Sequence, residues 1–152
     1  MKRYLVQHGE ACAKEVDPER PLTAQGRADV ERLAGFLQRA GVRVPRVIHS
    51  GKLRARQTAE GLAGAVAPGI GPEEVGFLGP NDAVTAHDWR GEDGDLLVVG
   101  HLPYLGRLVA WLVSGETEPP LTAFRPGSIV CLETVDDGAW RIAWMLRPEL
   151  LP

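Results

Sequence analysis

Tyr4-Leu5-Val6-Gln7-His8-Gly9-Glu10 is the stretch of sequence that best indicates the fold. Its first three residues are apolar and predict the end of a short buried strand, and a glycine directly after the histidine lets the backbone turn tightly. Open α/β sheets place their chemistry beyond the carboxyl ends of their strands, which is where this histidine is predicted to lie. A lone histidine–glycine pair is more often an ordinary polar turn, so the rest of the sequence has to decide.

The composition favours one folded domain over residues 1–152. Hydrophobic residues make up 44% of the chain and charged residues 24%, which is enough for a packed core. The net charge of −3 argues against a general nucleic-acid or membrane binder. One basic cluster within the acidic chain nevertheless permits a local cationic site; it consists of Arg39, Arg43, Arg46, Lys52, Arg54 and Arg56.

Cysteine spacing and hydropathy predict the compartment. Cys12 and Cys131 are far apart and show no metal-ligand spacing, which favours free thiols in a reduced cytoplasm and no metal site. No apolar run is long enough for a signal peptide or a membrane span. The sequence therefore predicts a soluble, cytoplasmic protein, and we expect a monomer.

Predicted strands and helices alternate along the chain. Strands are predicted at residues 2–7, 46–49, 75–78, 95–99, 128–135 and 139–146, and helices at 23–40, 53–66, 81–89 and 103–113. The last two strands are joined by Asp136-Asp137-Gly138, a hairpin signal. This order predicts an α/β fold with three layers (α/β/α) and a mainly parallel sheet with an antiparallel C-terminal edge. In the last strand Trp140, Ile142 and Trp144 alternate, which predicts one shared face.

Three predicted strands end in polar residues that could meet in one crevice. The first ends at His8, the second at His49 and Ser50, and the fourth at His101, while Arg54 opens the helix after the second strand. The carboxyl ends of parallel strands lie on the same side of a sheet. Imidazoles together with a guanidinium, whose planar fork suits phosphate, predict a site for a tetrahedral oxyanion.

The sequence resembles the histidine phosphatase (phosphoglycerate mutase-like) superfamily, and within it the SixA-type phosphohistidine phosphatases. Four segments carry the resemblance in the family's order, namely Gln7-His8-Gly9, Pro21-Leu22-Thr23-Ala24-Gln25-Gly26, Ser50 with Arg54-Ala55-Arg56-Gln57-Thr58, and Val99-Gly100-His101-Leu102-Pro103. The short span between Thr58 and His101 leaves no room for the inserted cap of the larger members. This points to the SixA-like subgroup and to an open, shallow site.

The resemblance implies a hydrolase that transfers a phosphoryl group in two steps. His8 would attack phosphorus and form a phosphohistidine, which water would then hydrolyse. Arg54 and His101 would complete the catalytic set by holding the phosphoryl oxygens. The substrate-binding residues would be Gln7, Gly9, Glu10 and Ser50, with no metal and no cofactor. The implied partner is a phosphohistidine-bearing protein of a phosphorelay (signal transduction) or of a phosphocarrier system.

Gln7, the general acid and the role of Ser50 leave parts of the chemistry open. The family has arginine where this chain has Gln7, so a second cation such as Lys52 or Arg56 could compensate. Alternatively, the substrate could differ, with a small phosphomonoester as one possibility, or the domain could bind phosphoryl groups with little turnover. The general acid is also open, with Glu10 and Asp82 as candidates. Ser50 could cap the second helix or contact phosphate, and capping is the simpler interpretation.

Overall fold

A six-stranded sheet forms the middle of this chain in the computed structural model, which describes residues 1–152. The strands are β1 (Lys2–Gln7), β2 (Arg46–His49), β3 (Glu73–Glu74), β4 (Leu96–Gly100), β5 (Ile129–Thr134) and β6 (Trp140–Leu146). The α-helices are α1 (Ala24–Arg39), α2 (Leu53–Val66) and α3 (Tyr104–Ser114), and Val84–Ala86 and Pro148–Leu150 are short 3₁₀ helices. None of the helices is both long and apolar enough to span a membrane.

The strand order confirms the predicted architecture. Across the sheet the order is β3-β2-β4-β1-β5-β6. The first four of these are parallel, whereas β5 runs antiparallel to both β1 and β6. Helices α1 and α2 share one core with one face of the sheet, and α3 shares a second core with the other face. The fold therefore has three layers, and the carboxyl ends of β1, β2 and β4 lie side by side.

The start of α1 fixes the loop that follows β1. Thr23 is the N-cap, and its hydroxyl accepts a hydrogen bond from the Gly26 backbone N–H (3.0 Å), as this residue type predicts. The helix then passes very close to the backbone of Glu10, because a Cβ atom at Gly26 would lie 2.1 Å from the Glu10 carbonyl oxygen. Only glycine permits this approach, which brings the first turn of α1 directly onto the residues after His8.

Two predicted elements between α2 and β4 are wrong. The strand predicted at 75–78 lies earlier, at Glu73–Glu74, and its pairing with β2 ends where the Val75 N–H donates to the His49 carbonyl (2.9 Å). The apolar residues that suggested a strand serve packing instead. Leu78 is fully buried in the core, and Phe77 stacks on His87 with ring centroids 4.0 Å apart.

The helix predicted at 81–89 is reduced to the 3₁₀ helix Val84–Ala86. The segment that follows is held in the core, because Trp89 is fully buried and donates its indole N–H to the Tyr104 hydroxyl (3.1 Å). The buried Arg3 guanidinium also donates to the carbonyls of Trp89 (3.1 Å) and Gly94 (2.6 Å). These bonds hold the chain from Trp89 onward in an irregular course, and periodicity alone does not reveal them.

The C-terminal hairpin forms as predicted, but its tryptophans do not share a face. The register between β5 and β6 shifts between Cys131 and Leu132, so that Cys131 pairs with Trp144 and Leu132 pairs with Ile142. This bulge reverses the alternation of side chains along β6. Trp140 is buried in the core on the α3 side, whereas Trp144 packs against the core on the α1 side.

Candidate active site

His8 directly follows β1 and is held in a defined orientation. Its backbone N–H donates to the Gly100 carbonyl at the end of β4 (3.1 Å), and its ring Nδ1 lies 2.7 Å from the Gly9 carbonyl oxygen. Because a carbonyl oxygen can only accept, Nδ1 carries the ring proton. The lone pair of the neutral ring is therefore on Nε2, which is the state that nucleophilic attack requires.

His101 directly follows β4, the strand next to β1. Its ring centroid lies 5.0 Å from that of His8. On the other flank, the Ser50 hydroxyl after β2 lies 2.6 Å from His101 Nε2, and His101 Nδ1 is buried with no hydrogen-bond partner. The ends of β1, β2 and β4 thus bring His8, Ser50 and His101 together.

Burial and nearby cations hold both imidazoles neutral. Burial is the main cause that lowers the pKa of His8 to about 4; a hydrogen bond to the adjacent carbonyl opposes it, and Arg54 and Arg20 lower the pKa further. Burial likewise is the main cause that lowers the pKa of His101 to about 3; repulsion from His8 when that ring is protonated comes next, and then the charges of Arg54, Lys52 and Arg20. The permanent charges that act on these rings are Arg54, Arg20 and, for His101, Lys52; all are cations, a field that suits a bound oxyanion.

We expect these two rings to remain neutral well below pH 6.5. In an NMR titration, the ring signals of His8 should shift with a midpoint near pH 4 and those of His101 near pH 3. In the unfolded chain both titrate near 6.5, so the unfolded state binds more protons as the pH falls below that value. The free energy of unfolding should therefore be highest above pH 6.5 and decrease toward pH 4 and then pH 3. Midpoints near 6.5 would contradict this environment.

Arg20 lies close enough to the site for its charge to act on both histidines, although the sequence did not identify it. Its backbone has a φ of +52°, a conformation that non-glycine residues adopt only when their surroundings enforce it. Its Nε donates to the Cys12 carbonyl (3.0 Å), and its charge contributes, after burial, to the lowered pKa values of His8, His101 and Arg54. The only sequence signal was a cation directly before the Pro-Leu-Thr segment, and an irregular loop does not reveal where such a residue lies.

The structure distinguishes the two cations that could compensate for Gln7. Lys52 lies close enough to His101 to help, after burial, to lower its pKa. Arg56 instead pairs with Glu60 one helical turn away (3.7 Å), and both of these side chains are more than half exposed. Arg56 is therefore a surface residue of α2. Gln7 itself is buried, and its amide oxygen has no hydrogen-bond partner.

The two candidate acids lie in polar loops. The Glu10 carboxylate accepts a hydrogen bond from the Thr23 hydroxyl (3.0 Å) at the start of α1, and Glu10 is exposed. The Asp82 carboxylate accepts from the Gly79 backbone N–H (2.8 Å). Neither acid is among the groups that shift the pKa of His8. Nothing in their positions assigns either one as the general acid.

Ser50 does not cap α2, so the simpler of its two predicted roles is wrong. The N-cap is Lys52, which makes no side-chain capping bond, and the Ser50 hydroxyl binds His101 instead. Its neighbour His49 is buried and accepts a hydrogen bond from the Gly51 N–H at its Nδ1 (3.0 Å). His49 therefore has a structural role at the end of β2, and it is not one of the polar residues that meet in the site.

Helix α2 fastens the two loops that carry the other site residues. Besides placing Arg54 in its first turn, it presents the Gln57 amide oxygen to the Leu22 N–H (2.8 Å) and the Thr58 hydroxyl to the Gly9 N–H (2.9 Å). The sequence marked Gln57 and Thr58 only as parts of a motif. Their roles follow from these bonds, which tie the segment after His8 and the segment after Arg20 to one helix.

The site lies outside the main pockets of the molecule. The molecule has four cavities, and none of them is lined by His8, Arg54 or His101. No cluster of three or more His, Cys, Asp or Glu side chains is arranged to hold a metal ion. The groups at this edge of the sheet are therefore imidazoles, guanidiniums, the Lys52 ammonium, the Gln7 amide, the Ser50 hydroxyl and the Glu10 carboxylate.

This chain is similar to known proteins in both sequence and fold. A sequence model described as the histidine phosphatase superfamily (branch 1) matches residues 3–74. The chain is 31% identical to the phosphohistidine phosphatase SixA of Escherichia coli (strain K12), and the alignment covers 97% of this chain and 94% of SixA. The structure of the protein histidine phosphatase SixA complexed with tungstate superposes with a TM-score of 0.82 at 29% identity, covering 99% of both chains. At 18% identity, the alpha-ribazole phosphatase from Shigella flexneri shares the fold with a TM-score of 0.71 over 97% of both chains. The motifs and the fold thus agree that this chain belongs to the histidine phosphatase superfamily and is a phosphatase.

Proposed function

We propose that this phosphatase removes the phosphoryl group from phosphohistidine on a protein, through a phosphohistidine intermediate on His8 and without a metal ion. One observation carries the proposal. The unprotonated Nε2 of His8 shares a crevice with His101, and the Arg54 guanidinium lies near enough to lower the pKa of both rings after burial. This combination offers a nucleophile for phosphorus together with donors for the phosphoryl oxygens.

The reaction has two balanced steps. First, the His8 Nε2 lone pair forms a bond to phosphorus while the P–N bond of the substrate breaks, and the departing imidazole takes up a proton from the solvent. Second, water forms a bond to phosphorus and releases a proton to the solvent, the bond between phosphorus and His8 Nε2 breaks, and the free imidazole is restored as phosphate leaves. In both steps Arg54 supplies positive charge against the phosphoryl oxygens, and the neutral His101 ring offers them one N–H donor, in place of the field that a metal ion would otherwise provide.

The shallow site favours a phosphorylated protein over a small phosphomonoester. A small ligand gains most of its affinity from enclosure, and no cavity of this molecule is lined by the catalytic residues. A phosphohistidine that protrudes from a protein can reach such a surface, and the rest of the partner can supply the affinity. The relative from Escherichia coli, which carries the name phosphohistidine phosphatase, supports the same substrate class. Partners of the phosphorelay and of the phosphocarrier type both fit.

The test compares substrates under matched conditions. We expect repeated phosphate release from a phosphohistidine phosphocarrier protein, unchanged by a chelator, and at least tenfold lower kcat/KM on a panel of sugar and nucleotide phosphates. Binding of phosphate with a single turnover at most would instead support the alternative that Gln7 has made this a phosphoryl-binding domain. Preference for a small ester, or activity that a chelator removes, would contradict the proposal.

Arg20 is the residue that we expect to supply the charge missing at Gln7. Both the Arg20 and the Arg54 guanidiniums act on the two site histidines, so together they provide two cations for one phosphoryl group. Arg20→Gln should lower kcat/KM about 10²- to 10³-fold, in the range seen when an oxyanion contact is lost. Gln7→Arg in the wild-type background should change it less than tenfold.

The double variant sharpens this prediction. Gln7→Arg should restore most of the activity of Arg20→Gln, because one guanidinium then takes over from the other. Arg56→Gln is the matched control, since this cation pairs with Glu60 on the surface, and its activity should equal that of the wild type. Strong activation by Gln7→Arg alone would instead show that glutamine leaves the site short of charge.

A further inference from the structure

The Thr58 hydroxyl lies at the centre of a chain of hydrogen bonds between the nucleophile and the arginine. The hydroxyl donates to the Arg54 carbonyl in the preceding helical turn (2.8 Å) and accepts from the Gly9 N–H (2.9 Å). The Gly9 carbonyl in turn accepts from His8 Nδ1 (2.7 Å). Every direction in this chain is fixed, because an amide N–H can only donate and a carbonyl oxygen can only accept.

The Thr58 hydroxyl makes these two hydrogen bonds and no others. It is fully buried in α2, where threonine is a modest helix former, and its side chain reaches out of the helix to a loop 49 residues earlier in the chain. The Gly9 N–H that it satisfies has left the sheet ladder, so it depends on a side chain for its hydrogen bond. The pattern Arg-x-x-x-Thr therefore places a guanidinium and a loop anchor on adjacent turns of one helix.

We propose that Thr58 is a positioning residue that sets the separation of the nucleophile and the phosphoryl-binding guanidinium. Its hydroxyl fixes the peptide unit after His8 relative to the helical turn that carries Arg54. Because the same Gly9 residue holds His8 Nδ1, the anchor also favours the tautomer in which Nε2 is free. This role rests on the proposed function of His8 and Arg54, and it requires no contact between Thr58 and the substrate.

Thr58→Val tests the role, because valine keeps the shape and removes only the hydroxyl. We expect kcat on the phosphohistidine protein to fall about 10- to 100-fold with KM changed less than threefold, as a displaced catalytic group predicts. Thr58→Ser should restore at least half of the wild-type kcat. The matched control is Thr122→Val, because the Thr122 hydroxyl is buried without a partner and its removal breaks no bond.

A spectroscopic readout separates positioning from simple loss of stability. In ring ¹⁵N spectra at pH 7, wild-type His8 should show a protonated Nδ1 and an unprotonated Nε2. Thr58→Val should reduce the protonated Nδ1 fraction, and Thr58→Ser and Thr122→Val should not. If Thr58→Val leaves both the His8 spectrum and kcat at the wild-type level, the proposal is overturned. If the spectrum changes as expected while wild type releases no phosphate from any substrate, the positioning role holds and the proposed function fails.

Discussion

His8→Ala is expected to abolish phosphoryl transfer, with kcat/KM at least ~10⁴-fold below wild type. The Nδ1–H of His8 is committed to the Gly9 carbonyl, which fixes the ring tautomer and leaves Nε2 unprotonated for attack. The measurement is transfer from a radiolabelled phosphohistidine phosphocarrier protein in a single turnover. Wild type should acquire a label that acid removes and alkali does not, which is the signature of phosphohistidine, and His8→Ala should acquire none.

Two further variants make this result specific. His101→Asn should still become labelled, only more slowly, because His101 stabilises the phosphoryl oxygens without bonding to phosphorus. His87→Asn is the matched control, since His87 lies away from the site, stacked on Phe77 and hydrogen-bonded to Glu92 (2.6 Å), and should behave as wild type. Label on His8→Ala, or wild-type phosphate release without any labelled intermediate, would exclude the covalent route.

Elements with regular periodicity could be predicted from the sequence, and those held by side chains could not. Strand β2 and helix α2 lie where their apolar patterns place them, because β2 is a short apolar run buried between both cores and α2 packs one apolar face on a single core. The segment between β3 and β4 lacks that regularity. Its course depends on Arg3, which donates to carbonyls about 90 residues away in sequence, and on the complete burial of Trp89. Neither these long-range hydrogen bonds nor the burial of Trp89 leaves a signal in the sequence of the segment itself.

The residues of the candidate site also differ in whether the sequence could place them. His8 and His101 could be placed together because both end parallel strands, and the motif suggested Arg54 beside them. Arg20 could not be placed beside them from the sequence, because it lies in an irregular loop and its own φ is positive. The roles of Gln57 and Thr58 also required the structure, since a helical motif shows that residues share a face and not which distant N–H group they bind.

Gly26→Ala is expected to cause the largest loss of stability among conservative changes in this chain. The added methyl carbon would lie 2.1 Å from the Glu10 carbonyl oxygen and 3.0 Å from the Glu10 backbone nitrogen. These are backbone atoms, and the same carbonyl already accepts a hydrogen bond from the Thr23 N–H (3.0 Å), so it cannot simply turn aside. We expect a loss of about 3 kcal/mol in the free energy of unfolding, at the upper end for overpacking.

The clash should also lower the activity, because α1 and the residues after His8 have to move apart. A displacement of about 1 Å at the nucleophile can cost ~10²-fold in rate, so kcat/KM of the folded fraction should fall by that order. Gly64→Ala is the matched control, since a Cβ there meets no atom within 4 Å and alanine in a helix should stabilise the protein by about 0.5–1 kcal/mol. Urea denaturation of both variants, with kcat/KM measured below the transition, tests the argument. If Gly26→Ala is as stable as wild type, the close approach of α1 to Glu10 is not what holds the loop after His8, and the rigid support of the nucleophile has to come from α2 alone.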